Sequence, residues 1–247
     1  MSTSLPFEKT LIIMPTYKEI ENIKKMIETL FGLYPNIHLL VIDDNSPDGT
    51  ADAVKEYQKT NKNIHLLQRK GKLGLGTAYV AGFKWSLDSA NGDFDYVFEM
   101  DCDFSHDPKS VKDLLEAAQE NDLVIGSRYV DGIRIINWPF KRLILSYLGG
   151  IYARMITGLP LMDTTGGFKC FRKTTLQKID LDNIITTGYS FQLELNYKVW
   201  CKGLRVKEVP IIFYERVVGQ SKMSGSIIKE ALFVVIKLRL LHMMGKL

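Results

Sequence analysis

The chain has 247 residues, 46% of them hydrophobic, and a formal net charge of +4, enough apolar content for one substantial core and too little charge to argue a nucleic-acid partner. Its three cysteines, Cys102, Cys170 and Cys201, are scattered and form no C-x-x-C pair, which excludes a disulfide framework and a zinc site and fits a reducing cytoplasm. The N-terminus lacks a signal-peptide pattern and no apolar stretch reaches the roughly 18 residues of a bilayer-spanning helix, so a single domain without a transmembrane span is expected.

Lys9 to Met14 reads as a first strand closed by Pro15, and Glu19 to Phe31 places Ile23, Met26, Ile27, Leu30 and Phe31 at helical spacing. A second unit follows: strand His38 to Asp43, the loop DNSPDG, and a helix from Thr50 to Lys59. In that loop Asn45 and Gly49 suit left-handed backbone angles, and Asp44 stands at the carboxyl edge of the sheet. A third strand, Ile64 to Gln68, leads through RKGKLGLGTAY into a helix ending near Ser89. Gly74 and Gly76 there match neither the Walker spacing nor a full G-x-G-x-x-G, and tight backbone packing is the expected role.

Tyr96 to Met100 is an apolar strand that ends in two carboxylates, Asp101 and Asp103, ahead of a helix opened by Pro108. Alternation along an extended chain would send both acids to one side of the crevice beyond the sheet, where hard oxygen ligands suit Mg²⁺ or Mn²⁺ bridging to substrate phosphates. The same acids could merely cap the following helix. Repeated strand and helix units to this point predict an α/β fold with a mostly parallel central sheet and helices on both faces.

After a helix from Lys109 to Gln119, strand Leu123 to Ser127 delivers Arg128 to the same edge, as a phosphate ligand or as half of a salt bridge. From Ile133 to Met162 the chain carries Arg134, Lys141, Arg142 and Arg154, no acids, and many large apolar residues. Such a segment is either an amphipathic piece lying on an anionic membrane surface or a core helix with snorkelling arginines. Asp163 then precedes a glycine pair and a short strand, GYSFQLELNYKVW opens a helix bearing Gln192 and Glu194, and Arg205 to Tyr214 is a further strand. Glu194 near a helix start can serve the helix dipole. Gly219 is a hinge candidate between Arg216 and Lys222. From Ile227 onward an apolar helix with interspersed cations is a second candidate for membrane contact or a partner helix.

MPTYKEIENI, VIDDNSPDGT, KLGLGTAY, MDCDFSHDP, GSRY, TTGGF, GYSFQLE and RVVGQSK occur in the order seen in dolichyl-phosphate and polyprenyl-phosphate mannose synthases, and from about Leu11 to Lys222 the chain resembles that branch of the GT-A glycosyltransferases. The resemblance implies a GT-A catalytic domain over residues 1–226, with 133–162 as its acceptor and interface segment and 227–247 as an amphipathic helix. It implies that Pro15, Tyr17, Glu19, Ile42 and Asp44 hold the guanosine of GDP-mannose. Asp101, Cys102 and Asp103 would meet its ribose and phosphates, with Asp101, Asp103 and Ser105 on Mg²⁺ or Mn²⁺. Arg128, Arg216 and Lys222 would grip the phosphates, and Arg142 and Ser146, with Arg128, the phosphate of a polyprenyl acceptor. Three positions depart from the pattern: Cys102 for a usual alanine, Asn45 for a frequent glycine, and Ser105 for the glutamine of some members, with His106 and Asp107 as nearby substitutes. The implied reaction is inverting transfer of mannose, by a protein peripheral on the cytoplasmic face of a membrane, and a separate membrane-anchoring subunit is compatible with it. UDP-glucose as donor, or a sugar hydroxyl as acceptor with Asp163 or Glu194 as base, are the alternatives within the enzymes; a silent nucleotide-sugar sensor is the alternative outside them.

Overall fold

The structure is a computed structural model that describes residues 5–186, 188, 190–215 and 225–247, with side chains from 231 onward in the last segment. Strand β1 (Thr10–Thr16), helix α1 (Ile20–Leu33), β2 (His38–Asp43), α2 (Thr50–Gln58), β3 (Ile64–Gln68), α3 (Leu75–Leu87) and β4 (Tyr96–Glu99) follow the expected alternation. They continue into α4 (Val111–Ala118), β5 (Leu123–Ser127), the two-residue β6 (Ile135–Ile136) and α5 (Phe140–Thr157). Then come β7 (Lys169–Arg172), α6 (Lys173–Lys178), α7 (Ser190–Cys201), β8 (Val206–Pro210), β9 (Phe213–Tyr214) and α8 (Gly225–Met243).

Seven strands form one sheet in the order β3-β2-β1-β4-β7-β5-β8, in which β7 alone runs antiparallel. The central strands are apolar on both faces because both faces are covered. Leu11, Ile13, Leu40 and Ile42 point into one core with α3 and α7, whereas Ile12, Met14, Leu39 and Val41 point into a second with α1 and α4. At about 1.5–3 kcal/mol per fully buried Leu, Ile or Val, this two-sided pattern is the main force holding the sheet. Helix α3 lies so close that a Cβ at Gly82 would stand 2.6 Å from Ile13 Cγ2.

Strand bounds differ from expectation in three places, each for a local reason. β1 runs through Pro15 to Thr16, paired with β2 from Leu11 onward. Ile13 points its carbonyl at β4 and accepts from Met100 N, so the imide nitrogen of Pro15 faces the same side two residues later, where β4 has already ended and no ladder bond is lost. β4 itself stops at Glu99, one residue early. The expected strand from Arg205 to Tyr214 is two strands: β8 pairs with β5, Pro210 closes it, and β9 leaves the sheet to pair with β6.

Helix α5 buries Ala153 and Thr157 and exposes Phe140 (74%), Leu148 (56%) and Met155 (78%). It is therefore not a core helix. It packs against α8, which buries Val234, Val235 and Leu238 and exposes Phe233 (72%), Ile236, Leu240 and Met243. Among the described residues no helix is long and apolar enough to cross a membrane.

Candidate active site

Parallel neighbours at about 4.8 Å spacing bring the carboxyl ends of β2, β1 and β4 together, and the antiparallel β7 contributes its amino end to the same edge between β4 and β5. Everything chemically notable gathers there.

Asp101 and Asp103 lie beyond the end of β4 in a bend, and Phe104 takes a φ of 59°. The acids are thus gathered by a turn, and the expected strand alternation does not extend to them. Tyr79 of α3 donates its hydroxyl to Asp101 Oδ1 at 3.2 Å, and the amide of Asp101 donates to His106 Nδ1 at 3.1 Å. That bond fixes the His106 Nδ1 as an acceptor and removes it as a metal donor. Asp107 caps the short turn at Pro108 by accepting from the Lys109 amide at 3.0 Å. Ser105 donates its amide to Asp103 Oδ1 at 3.1 Å, while its hydroxyl is buried without a hydrogen-bond partner among the described residues. Two carboxylates and an orphaned hydroxyl in one turn fit a hard divalent ion that completes its shell with water and phosphate oxygens. Among the described residues no cluster of three or more His, Cys, Asp or Glu is placed to hold a metal ion. Cys102 packs in the core below, its thiol pushed well up by burial, as expected of a small hydrophobe.

On the β1 and β2 side, Pro15 and Tyr17 are half-buried at the rim, with Lys72 Nζ 4.5 Å from the Tyr17 ring centroid, and Glu19 precedes α1 and accepts from Asn22 Nδ2 at 2.8 Å. Ile42, expected at the guanosine, is fully buried, with its side chain packed against α3. Asp44 is held in a bidentate pair by Arg69, at 2.5 Å from Nε and 2.7 Å from one terminal nitrogen, and Arg69 also donates to Thr77 Oγ1 at 2.8 Å. This ties the loop after β2 to the start of α3. The turn angles expected of that loop are present, with φ of 58° at Asn45 and 88° at Gly49. Gly76 has the packing role expected of it, since a Cβ there would stand 2.8 Å from Phe191 Cδ2.

Arg128, at the end of β5, combines both readings offered for it. Asp163 accepts from its Nε at 2.7 Å, one terminal nitrogen at 2.6 Å and its backbone amide at 2.9 Å, and Thr165 Oγ1 accepts at 2.9 Å from that terminal nitrogen. The other terminal nitrogen makes no hydrogen bond to the described residues. Burial raises the Asp163 carboxyl, but the Arg128 charge and these bonds outweigh it and hold the group below the usual carboxylate range. Arg142 of α5 stacks at 3.9 Å on the Trp138 ring and donates to Glu215 at 2.7 Å. Ser146, one turn on, accepts from Tyr129 OH at 2.8 Å. Asp101, Arg128, Arg142 and Ser146 all line one cavity of about 240 Å³, with an apolar wall from α5 and α8 and a floor that includes Thr164, Thr165, Gly167 and Gln192. Arg216, Lys222 and the Gly219 hinge lie outside the described residues.

Neither expected base is available as one. Asp163 is consumed by Arg128, and Glu194 of α7 is buried, accepting from the amides of Ile185 and Thr186 at 3.0 Å each and from Thr186 Oγ1 at 2.7 Å. Beneath the cavity floor sits a buried charge pair, Glu99 and Lys169, with Nζ 3.7 Å from Oε2. Burial pushes the carboxyl up to about 7 and the ammonium down to about 8, each only partly offset by the other's charge.

The family model for glycosyl transferase family 2 matches residues 11–180, from β1 past α6. The chain belongs to glycosyl transferase family 2. Within it, an undecaprenyl-phosphate mannosyltransferase of Micrococcus luteus is 44% identical over 90% of this chain and 90% of its own. The polyprenol monophosphomannose synthase of Mycolicibacterium smegmatis is 42% identical over 95% of this chain and 88% of its own. These place the enzyme in the polyprenyl-phosphate mannose synthase branch. A mannosyltransferase of Pyrobaculum calidifontis, solved in complex with GDP-Man and Mn²⁺, shares the fold at a TM-score of 0.55 with 14% identity, covering 96% of this chain and 72% of that one. The GT-A α/β fold expected of this glycosyltransferase is thus the fold observed.

Sequence reading missed Tyr79, Arg69, Trp138 and Glu215 among the residues that shape the site of this glycosyltransferase, and named Gln192 without giving it a role. Tyr79 closes the KLGLGTAY stretch and Arg69 precedes it, and an arginine just upstream of a strand-to-helix loop was the one available signal. The rest come from segments far apart in the chain and meet only across the folded edge.

Proposed function

We propose that this glycosyltransferase moves mannose from GDP-mannose to the phosphate of a polyprenol, with inversion, releasing GDP and a β-linked mannosyl phosphate. One observation carries the reading: Asp101, Arg128, Arg142 and Ser146 share a cavity, one wall of which is the apolar flank of α5 and α8. An acceptor with an anionic head and a hydrocarbon tail matches such a cavity, and a free sugar does not. The donor assignment draws support from the named relatives and from the GDP-Man complex of a protein of the same fold.

The chain's own residues divide the work as follows. Pro15, Tyr17, Glu19 and Asp44 receive the nucleoside at the rim, Asp44 kept in place by Arg69. Asp101 and Asp103, with Ser105, would hold Mg²⁺ or Mn²⁺, which when bound neutralises charge on the departing diphosphate. Arg128 and Arg142, each oriented by a carboxylate, and the Ser146 hydroxyl place the acceptor phosphate. A phosphate monoester, with a second pKa of about 6, is largely dianionic at neutral pH, so one of its oxygens attacks the anomeric carbon without a general base while the bond to GDP breaks. The engagement of both Asp163 and Glu194 in other contacts supports this base-free route. Arg216 and Lys222 are assigned to the diphosphate by family resemblance.

The exposed apolar stripes of α5 and α8, with Lys141, Lys237 and Arg239 among them, seat the enzyme peripherally on an anionic bilayer, where each cation near the headgroups contributes about 1 kcal/mol. The test offers purified protein GDP-mannose, UDP-glucose and UDP-galactose in turn with polyprenyl phosphate and Mn²⁺, and identifies the glycolipid by mass and anomeric configuration. A β-mannosyl product only from GDP-mannose is expected. A glucosylated lipid would overturn the donor, and an α-linked product the single displacement.

A further inference from the structure

Between the acids and the arginines lies a polar group that the reaction above leaves idle. Because β7 runs between β4 and β5, its first residue, Lys169, stands between the strand that leads to Asp101 and the strand that leads to Arg128. Lys169 is fully buried, and besides facing Glu99 it donates to the Gln192 carbonyl at 3.1 Å and to the Gln192 side-chain oxygen. An ammonium has three donors and no acceptor, so it dictates the amide orientation: Oε1 toward Lys169, the NH₂ away from it. Gln192 lies in the first turn of α7 and lines the cavity, and a Cβ on Gly167, another lining residue, would stand 3.6 Å from its Nε2. That nitrogen makes no hydrogen bond to the described residues, and both oxygens of Glu99 are likewise without one, so its N–H bonds are left for the cavity that Gln192 lines.

A buried lysine and glutamate are poor stabilisers compared with apolar residues of similar size, so stability alone does not account for them. Position does. The diphosphate side of the reaction belongs to Asp101 and the acceptor side to Arg128, Arg142 and Ser146, so the floor between them meets what passes from one to the other. We propose that Gln192 is a specificity-determining residue whose amide N–H donates to a hydroxyl oxygen of the hexose in transfer, and that Lys169 is the positioning residue that holds the amide in that orientation. The inference rests on the hexosyl transfer proposed above. It adds the contact that reads the sugar, and assigns it to a group that cannot act as a base.

The test measures kcat/KM for GDP-mannose and for a donor series lacking one sugar hydroxyl at a time. In the wild type one member should fall about fivefold or more below its siblings, the size of a single neutral hydrogen bond. In Gln192→Ala that member should perform like the others. Lys169→Met should lose the same discrimination and Lys169→Arg should recover part of it. Because Lys169→Met strands the Glu99 charge, the Glu99→Gln, Lys169→Met double variant is made beside it and should behave alike. GDP affinity by calorimetry should stay within about twofold of wild type throughout. Wild-type ordering of the series in Gln192→Ala, or an equal loss on every donor in the Lys169 variants, would overturn the proposal. Failure of wild type on GDP-mannose itself would instead overturn the donor assignment, and the same series built on the hexose donor that does react would then decide the role of Gln192.

Discussion

Asp163→Asn isolates what the buried carboxylate does. In the wild type its two oxygens accept from the Arg128 amide, two guanidinium nitrogens and, at 3.3 Å, the Thr165 amide, while both partners of the pair are almost wholly buried. Asparagine keeps the volume, replaces one acceptor oxygen by a donor, and leaves a guanidinium buried without a counter-charge. Breaking a buried pair from one side typically costs about 3–5 kcal/mol. For a chain of this size about 2–4 °C is lost per kcal/mol, so the melting temperature at pH 7 should fall by on the order of 10 °C. The folded-state pKa of Asp163 lies below its unfolded value, so its contribution is complete above the unfolded pKa and disappears as pH falls through the folded one. The wild-type and variant melting curves should therefore converge as pH is lowered below the ordinary carboxylate range. Differential scanning fluorimetry from pH 7 downward reads both effects. An unchanged melting temperature at pH 7, or a gap that widens in acid, would refute the account of Arg128 as pre-oriented by Asp163.

Asp101→Asn and Asp103→Asn should each abolish glycolipid formation, a loss of about 100-fold or more, with melting temperatures near wild type, and excess chelator should do the same to the wild type. Activity that persists in chelator would remove the divalent ion from the scheme. Neutralising Lys237 and Arg239 together should weaken co-sedimentation with anionic vesicles, and Phe233→Ser should weaken it on neutral ones as well, since the first acts through charge and the second through apolar insertion. Vesicle binding unchanged in both would reassign the stripe to a protein partner. His65, stacked beside His38 and Trp85, has its pKa lowered to about 4 by burial and by His38. It therefore takes up its proton less readily folded than unfolded, so stability should decline as pH falls from about 6.5 toward 4, and His65→Gln should flatten that decline in thermal melts.

Much of the frame was legible because one kind of signal repeats along it. β2, β3 and β5 have the expected bounds, and the unbroken apolar runs in β1 and β2 correctly implied a sheet covered on both faces. The turn chemistry of Asn45 and Gly49 was equally local and equally readable. The site was legible only as a set of residue types. That Asp101, Arg128, Arg142 and Ser146 line one cavity agrees with the grouping implied by family resemblance, whereas the pairing of each with Tyr79, Asp163, Glu215 and Tyr129 had no local signature. Ile42 sits at the expected edge of the sheet, but that its side chain faces α3 had no local signature either.

The sequence by itself determined the α/β alternation, the place of the acids at a strand end and the presence of an apolar, cation-bearing last helix, since each depends on neighbours within a few residues. Only the tertiary structure decided which carboxylates are spent on arginines, which glutamine is aimed by a lysine, and that α5 and α8 stand side by side. Those outcomes depend on an antiparallel strand inserted between two parallel ones, which brings residues far apart in the chain to one edge. Hydrogen bonds and charge pairs act over a few ångströms in space and carry no trace along the chain of where their partners will arrive.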